Sequence, residues 1–172
     1  MWRRPTDRYR RRTGEFYRVP PSIIGAKPVQ RPGPPIYLAA FSALAVRRAA
    51  LLADGWHPVG VPLVGMAQMF TTLRAMADEA GRQDGSLALI VRANLHLSDC
   101  PLGEGRAIFA GSLEQIVADI AATHALGADE LCFDLTFSPG VVTLDDLLGC
   151  MEQLYEQATR TALPAAPAFS LP

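Results

Sequence analysis

The sequence predicts an α/β protein built on a parallel sheet of barrel type, and three observations carry that expectation. Between residues 35 and 155, short apolar strand-like runs alternate four times with amphipathic helix-like segments, a pattern that implies parallel strands joined by right-handed crossovers. In the two clearest strands, polar groups gather toward the carboxyl end of one face. A barrel lumen opening onto a binding site has that character, whereas an open, flavodoxin-like sheet is covered on both faces. Finally, the chain has 172 residues, 49% of hydrophobic type, 19% charged, with a net charge of -1. A chain of this size buries roughly 70% of its unfolded surface and so forms a core without metal or disulfides. Disorder, collagen and coiled coil are excluded for the whole chain.

The first unit starts with the strand 35–40, after which Ser42 caps a helix whose apolar residues are Leu44, Val46, Ala50 and Leu51. The second pairs a strand at 56–61 with a helix over about 65–80, where Met66, Met69, Phe70, Leu73, Met76 and Ala77 recur at helical spacing and Gly81 ends the run. The methionines are core filler. In the third, the β-rich run 87–96 leads through a polar loop to Ser112-Leu113-Glu114-Gln115, the form of a capping box, with Leu113, Ile116, Val117 and Ile120 inward and Gly127 at the stop. The fourth is a strand at 130–137 and a helix from Thr143 carrying Leu144, Leu147, Leu148, Met151, Leu154 and Tyr155.

Residues 1–34 precede these units as an Arg- and Pro-rich arm, 35–160 form the domain proper, and 161–172 read as a flexible tail. Six of the fourteen prolines lie between residues 19 and 35, where they deny both helix and central strand. Residues 1–48 hold eleven basic groups against Asp7 and Glu15, a net +9, while the remainder is -10. An arm of this kind can neutralise nucleic-acid phosphates, yet it carries no nucleic-acid motif, which favours a solvated segment lying on the acidic body. No run of 18 apolar residues lacks charge or proline, and the start lacks the apolar stretch of a secretory signal. No membrane contact and a cytoplasmic address are the default expectations. Cys100, Cys132 and Cys150 are odd in number and widely spaced, so neither a disulfide framework nor a metal site is expected.

Alternation places Arg92, Asn94 and His96 on one face of the third strand and Cys132, Asp134 and Thr136 on the matching face of the last. Arg92 is placed either to reach an anionic ligand or to pair with Asp134, and Asn94 and His96 are weaker candidates beside it. Trp56 reads as core, His57 as a structural histidine, and His124 as a helix-end residue suited to the dipole.

The strings Pro34-Pro35-Ile36-Tyr37-Leu38-Ala39-Ala40-Phe41-Ser42, Arg47-Arg48-Ala49-Ala50-Leu51-Leu52-Ala53-Asp54-Gly55-Trp56, Gly111-Ser112-Leu113-Glu114-Gln115-Ile116 and Gly127-Ala128-Asp129-Glu130-Leu131 together resemble the carboxyl half of the luciferase-like monooxygenase family. The likeness runs over roughly residues 14–158 and is nearest to the branch that uses a deazaflavin. It implies half of a (β/α)8 TIM barrel, with the four units as strands five to eight and the proline-rich stretch as the insertion before strand five. It further implies a flavin-type oxidoreductase or monooxygenase using coenzyme F420 or FMN, a small-molecule substrate, and Ala39, Ala40, Phe41, Ser42 and Ala43 against the cofactor phosphate. Many relatives have glycine in that turn, and Phe41 narrows the approach. The residues that meet the reactive ring and move protons belong to the amino half. Met1 is therefore expected to be an internal start or the product of a shortened reading frame, and catalysis by this chain alone is expected to be weak or absent. Four barrel strands leave two open edges, so a homodimer or a separate amino-half chain is expected as partner. The alternative reading is a non-catalytic half-barrel that acts by association.

Overall fold

The computed structural model describes residues 10–22, 28–31, 33–82, 86–136 and 138–160. The chain divides into two compact units, Met1–Ile36 and Tyr37–Pro172.

In the first unit, β1 (Arg10–Thr13) and β2 (Arg18–Ser22) form an antiparallel hairpin, closed where the Gly14 amide donates to the Tyr17 carbonyl at 2.8 Å. Prolines here are expected to deny helix and central strand, and this hairpin is neither. In a two-stranded ribbon every strand is an edge, and an edge accommodates Pro20 and Pro21. Residues 1–9 of the arm and the tail 161–172 lie outside the described residues.

The second unit alternates strand and helix as anticipated: β3 (Tyr37–Leu38), α1 (Ala43–Leu52), β4 (Gly55–Trp56), α2 (Leu63–Glu79), β5 (Ala88–Asn94), β6 (His96–Leu97), β7 (Ala110–Gly111), α3 (Leu113–Ala125), β8 (Glu130–Asp134) and α4 (Leu144–Arg160). The main sheet has the order β3-β4-β5-β8, and every neighbouring pair in it is parallel. Leu38, Trp56 and Leu89 share one register line and therefore one face. On that face Trp56, Leu89, Val91 and Ala93 are fully buried against the helices, with Met66, Phe70, Leu73 and Ile116 packed from the other side. The Trp56 and Phe70 rings stack with centroids 6.4 Å apart.

The strands are shorter than the apolar runs that announce them. The 35–40 run is strand only at Tyr37–Leu38. The 56–61 run begins one residue earlier and breaks at Pro58, which has no N–H to give. Its carbonyl still accepts the Arg92 amide at 2.9 Å, and the pairing resumes as a single parallel bridge between Val59 and Arg92. The 87–96 run leaves the main sheet after Asn94, since His96 and Leu97 pair with β7 instead. The 130–137 run ends at Asp134, with Phe137 outside the described residues.

Two helices bury other residues than their leucines suggest. In α1 the buried side is Ala49 and Ala50, with Ala45 and Val46 partly covered, while Leu44 is 77% exposed. Among the described side chains of α4, Leu154 is buried and Leu147 and Cys150 partly so, while Leu144, Leu148, Met151 and Tyr155 face solvent. By contrast α2 and α3 follow the expected stripes, and α3 opens on a complete capping box between Ser112 and Gln115. Gly111 is obligatory there: its φ is 137°, and a Cβ on it would run into the Gln115 side chain.

Candidate functional site

All four strands of the main sheet run the same way, so their carboxyl ends, and the loops that leave them, lie at one end of the sheet. The turn at residues 39–43 leaves β3 at that end. It is pinned from below, because the buried Trp56 donates its indole N–H to the Ala40 carbonyl at 3.1 Å. Ser42 then has extended backbone, with φ -85° and ψ 154°, and its hydroxyl accepts the Ala45 amide at 3.3 Å. The first intrahelical bond runs from the Val46 amide to the Ser42 carbonyl. Helix geometry thus leaves the Ala43 and Leu44 amides at the mouth of α1 without a partner among the described residues, at the positive end of the helix dipole. Ala40 is buried, whereas Phe41 is half exposed beside the opening.

At the same end, on the sheet face away from the helices, Arg92 and Asp134 pair. Arg92 Nε donates to Asp134 Oδ2 at 2.9 Å, and Nη2 makes a second close contact with the same oxygen. Register explains the reach. Arg92 lies beside Cys132 and Asn94 beside Asp134, so the long guanidinium crosses diagonally to the next inward position. The Asp134 carboxyl falls to about 2 from an ordinary 3.8, held down first by the hydroxyl and amide of Thr136 and then by Arg92. Asn94 Oδ1 is buried between these elements with no hydrogen-bond partner among the described residues. His96, expected on the same face, leaves the main sheet with β6 and is exposed.

The turn at residues 39–43 and the ion pair occupy the same end without touching. β3 and β5 are separated by β4, and two strand spacings amount to about 10 Å. His57 lies between them. Its Nδ1 is 2.8 Å from the Ile90 carbonyl, and because a carbonyl only accepts, Nδ1 carries the proton. His57 is therefore satisfied structurally, as its sequence context suggests. On the same face the Tyr37 ring lies over Gly55, where a Cβ would come within 2.8 Å of Tyr37 Cδ1 and 3.0 Å of the Ala88 carbonyl. His124 is exposed in the last turn of α3.

One polar cluster escapes the sequence reading. Asp119, on the buried side of α3, accepts from Arg106 Nη1 at 2.6 Å, from Nη2 at 2.8 Å and from the Phe109 amide at 2.8 Å. It thereby anchors the loop that follows β5 and β6 at the site end. Its signal is an acid set among Ile116, Ile120 and Thr123 on an otherwise apolar stripe. Among the described residues no group of three or more His, Cys, Asp or Glu is placed to hold a metal ion, and no helix is long and apolar enough to cross a membrane. Cys100 and Cys132 are exposed thiols and Cys150 is half buried.

Solved structures share this arrangement of strands and helices. The monooxygenase RslO1 from Streptomyces bottropensis superposes with a TM-score of 0.65 at 16% identity, over 93% of this chain and 57% of its own. The coenzyme F420 dependent tetrahydromethanopterin reductase from Methanopyrus kandleri gives 0.64 at 12%, over 87% and 57%. A riboflavin lyase solved with modified FMN and riboflavin gives 0.63 at 12%, over 94% and 51%. The chain thus spans about half the length of the structures it matches. No curated protein matches the sequence. The sequence model of one family, the luciferase-like monooxygenases, matches residues 1–102, which takes in the basic arm and the first two β-α units. With more than half of its length matched in this way, the chain belongs to the luciferase-like monooxygenase family.

Proposed function

We propose that the chain is the half of a flavin-type oxidoreductase that grips the cofactor phosphate, with FMN or coenzyme F420 as cofactor and a small molecule as substrate. The observation that supports this most directly is the mouth of α1, where the amides of Ala43 and Leu44 open at the carboxyl end of the sheet. Backbone N–H groups at a helix start favour phosphate, and the small side chains of Ala39, Ala40 and Ala43 let an anion approach them. Asn94 Oδ1, buried and unpartnered, is an acceptor suited to a hydroxyl donor such as a polyol chain carries. These residues fit the cofactor class. When bound, the cofactor supplies the hydride chemistry.

This chain's own groups then have distinct roles. The Ser42 hydroxyl holds the first turn of α1 in shape, Trp56 fixes the carbonyl of Ala40, and Phe41 limits the width of the cradle. Arg92, oriented by Asp134, sets a positive charge at the same end, toward an anionic part of cofactor or substrate. The groups that face the reactive ring and move protons are assigned to the other half of the barrel, so the chain alone binds without sustained turnover.

Fluorescence titration of the purified chain with FMN and with riboflavin tests the cradle. FMN is expected to bind at least about tenfold tighter, the effect of roughly 1.4 kcal/mol from a phosphate at a helix start, and Phe41→Gly is expected to widen that ratio. Equal affinities, or no binding of either, would refute the reading. A second reading, a non-catalytic half-barrel working by association, is favoured by the exposed apolar residues of α1 and α4.

A further inference from the structure

The two ends of the second unit are both unfinished, and they are unfinished in complementary ways. β3 and β8 terminate the sheet. α1 packs on α2 and α4 packs on α3, so the helices following those edge strands terminate the helix layer. On α1, Leu44, Arg47, Arg48 and Leu51 stand three or four residues apart and therefore on one side. All four are exposed, the leucines at 77% and 42%. On α4, Leu144, Leu148 and Met151 form an exposed stripe at 66%, 48% and 49%, flanked by the exposed acids Asp145 and Glu152. One terminal helix thus shows leucines among arginines, and the other shows leucines and a methionine among carboxylates.

We propose that the occupant of these edges is a second copy of this chain, docked so that β8 and α4 of each copy lie against β3 and α1 of the other. The proposal deepens the half-barrel reading above and rests on it, though not on the cofactor. A two-fold axis along the strand direction keeps all strands parallel and repeats the same seam twice, so the assembly closes with no edge left over. Each seam joins apolar to apolar and basic to acidic, whereas α1 against α1 or α4 against α4 would oppose like charges. The sheet face away from the helices, exposed at Cys132 and partly at Arg92, gains an opposing wall from the partner, and both cradles open at the same end of one lumen.

The test is a charge exchange on the full chain, read by light scattering and analytical ultracentrifugation without cofactor. The wild-type chain is expected at twice its 18.5 kDa mass. The variants R47E/R48E and D145K/E152K, each placing like charges in both seams, are expected to self-associate at least about tenfold more weakly, given exposed ion pairs of up to ~1 kcal/mol each. Mixed in equal amounts they restore opposite charges in both seams, and the dimer is expected to return. That rescue distinguishes a broken seam from a misfolded variant. A monomeric wild type, open-ended higher oligomers, variants that dimerise undiminished, or a mixture that fails to recover would each overturn the proposal. Because no cofactor is present, a chain that dimerises but does not prefer FMN to riboflavin leaves this inference standing and defeats only the cradle.

Discussion

Removing the Asp119 carboxylate by Asp119→Ala should loosen the loop beside the site more than any other single change at a polar side chain. Asp119 accepts three charge-assisted hydrogen bonds, two from Arg106 and one from the Phe109 amide. The side chains of Arg106 and Asp119 are only 20% and 10% exposed. Phe109 is held at φ 63° with its ring buried, a left-handed conformation that costs a non-glycine residue about 1–2 kcal/mol and that the bond to Asp119 helps maintain. Breaking a buried pair by deleting one partner costs about 3–5 kcal/mol. Arg106 regains some water through its exposed fifth and also donates to the Ala110 carbonyl, which favours the lower end, about 3 kcal/mol. In a domain of this size each kcal/mol moves Tm by about 2–4 °C, so thermal unfolding followed by circular dichroism should drop by about 6–12 °C. Asp119→Asn keeps an oxygen for the Phe109 amide and should lose about half as much. Limited proteolysis should find new cleavage between residues 98 and 110 in Asp119→Ala, because the loop opens before the core does. A Tm within about 2 °C of wild type, well below the shift expected for a lost buried pair, would show that Arg106 and Phe109 do not depend on this carboxylate.

Three further outcomes are expected. Ser42→Ala should lower stability by about 1 kcal/mol through loss of the helix cap and reduce FMN affinity while leaving riboflavin affinity unchanged, as a paired urea-unfolding and titration experiment can show. The Asp134 carboxyl lies at about 2 against an ordinary 3.8, so its stabilisation is complete above pH 4 or so and declines as pH falls toward 2. With Arg92 41% exposed and solvent screening the pair, the loss should be on the order of 1 kcal/mol, and Asp134→Asn should flatten that part of the urea stability profile. Gly55→Ala should destabilise by about 1–3 kcal/mol, since its Cβ meets both the Tyr37 ring and the Ala88 carbonyl. Adding Tyr37→Ala should recover part of that loss in the same assay, because only the ring can be removed.

What could be read from the sequence depended on how each residue announces its surroundings. The Arg92–Asp134 pair was legible because a period of two in two strands leaves only one face for both, and the capping box of α3 because Ser112 and Gln115 carry their geometry in their spacing. The inner side of α1 was legible only in part: Ala50 was placed inward and is buried, but Ala49 beside it is a weak hydrophobic signal next to Leu44 and Leu51, which face outward. α4 misled for the opposite reason, in that a strong stripe normally means a core, and here most of it faces outward. Pro20 and Pro21 concealed a hairpin because the proline rule concerns central strands. Asp119 went unread because an acid finds its partner through tertiary contact, and Arg106 stands thirteen residues away across a loop. At the candidate site, the cradle at 39–43 came from family likeness, while the unpartnered Asn94 oxygen is visible only in three dimensions.

The strand order of the main sheet restricts where a ligand can settle. In open parallel sheets the binding crevice forms at a topological switch point, where successive crossovers depart in opposite directions and the loops above part company. Here the sheet is laid down in one sense only, from β3 through β4 and β5 to β8. Every right-handed crossover therefore carries its helix to the same side, and no pair of adjacent loops diverges. On the proposed function, a ligand of this chain would lie across the carboxyl ends of several strands, in contact with several loops at once, which would make affinity a property shared by distant segments of the chain.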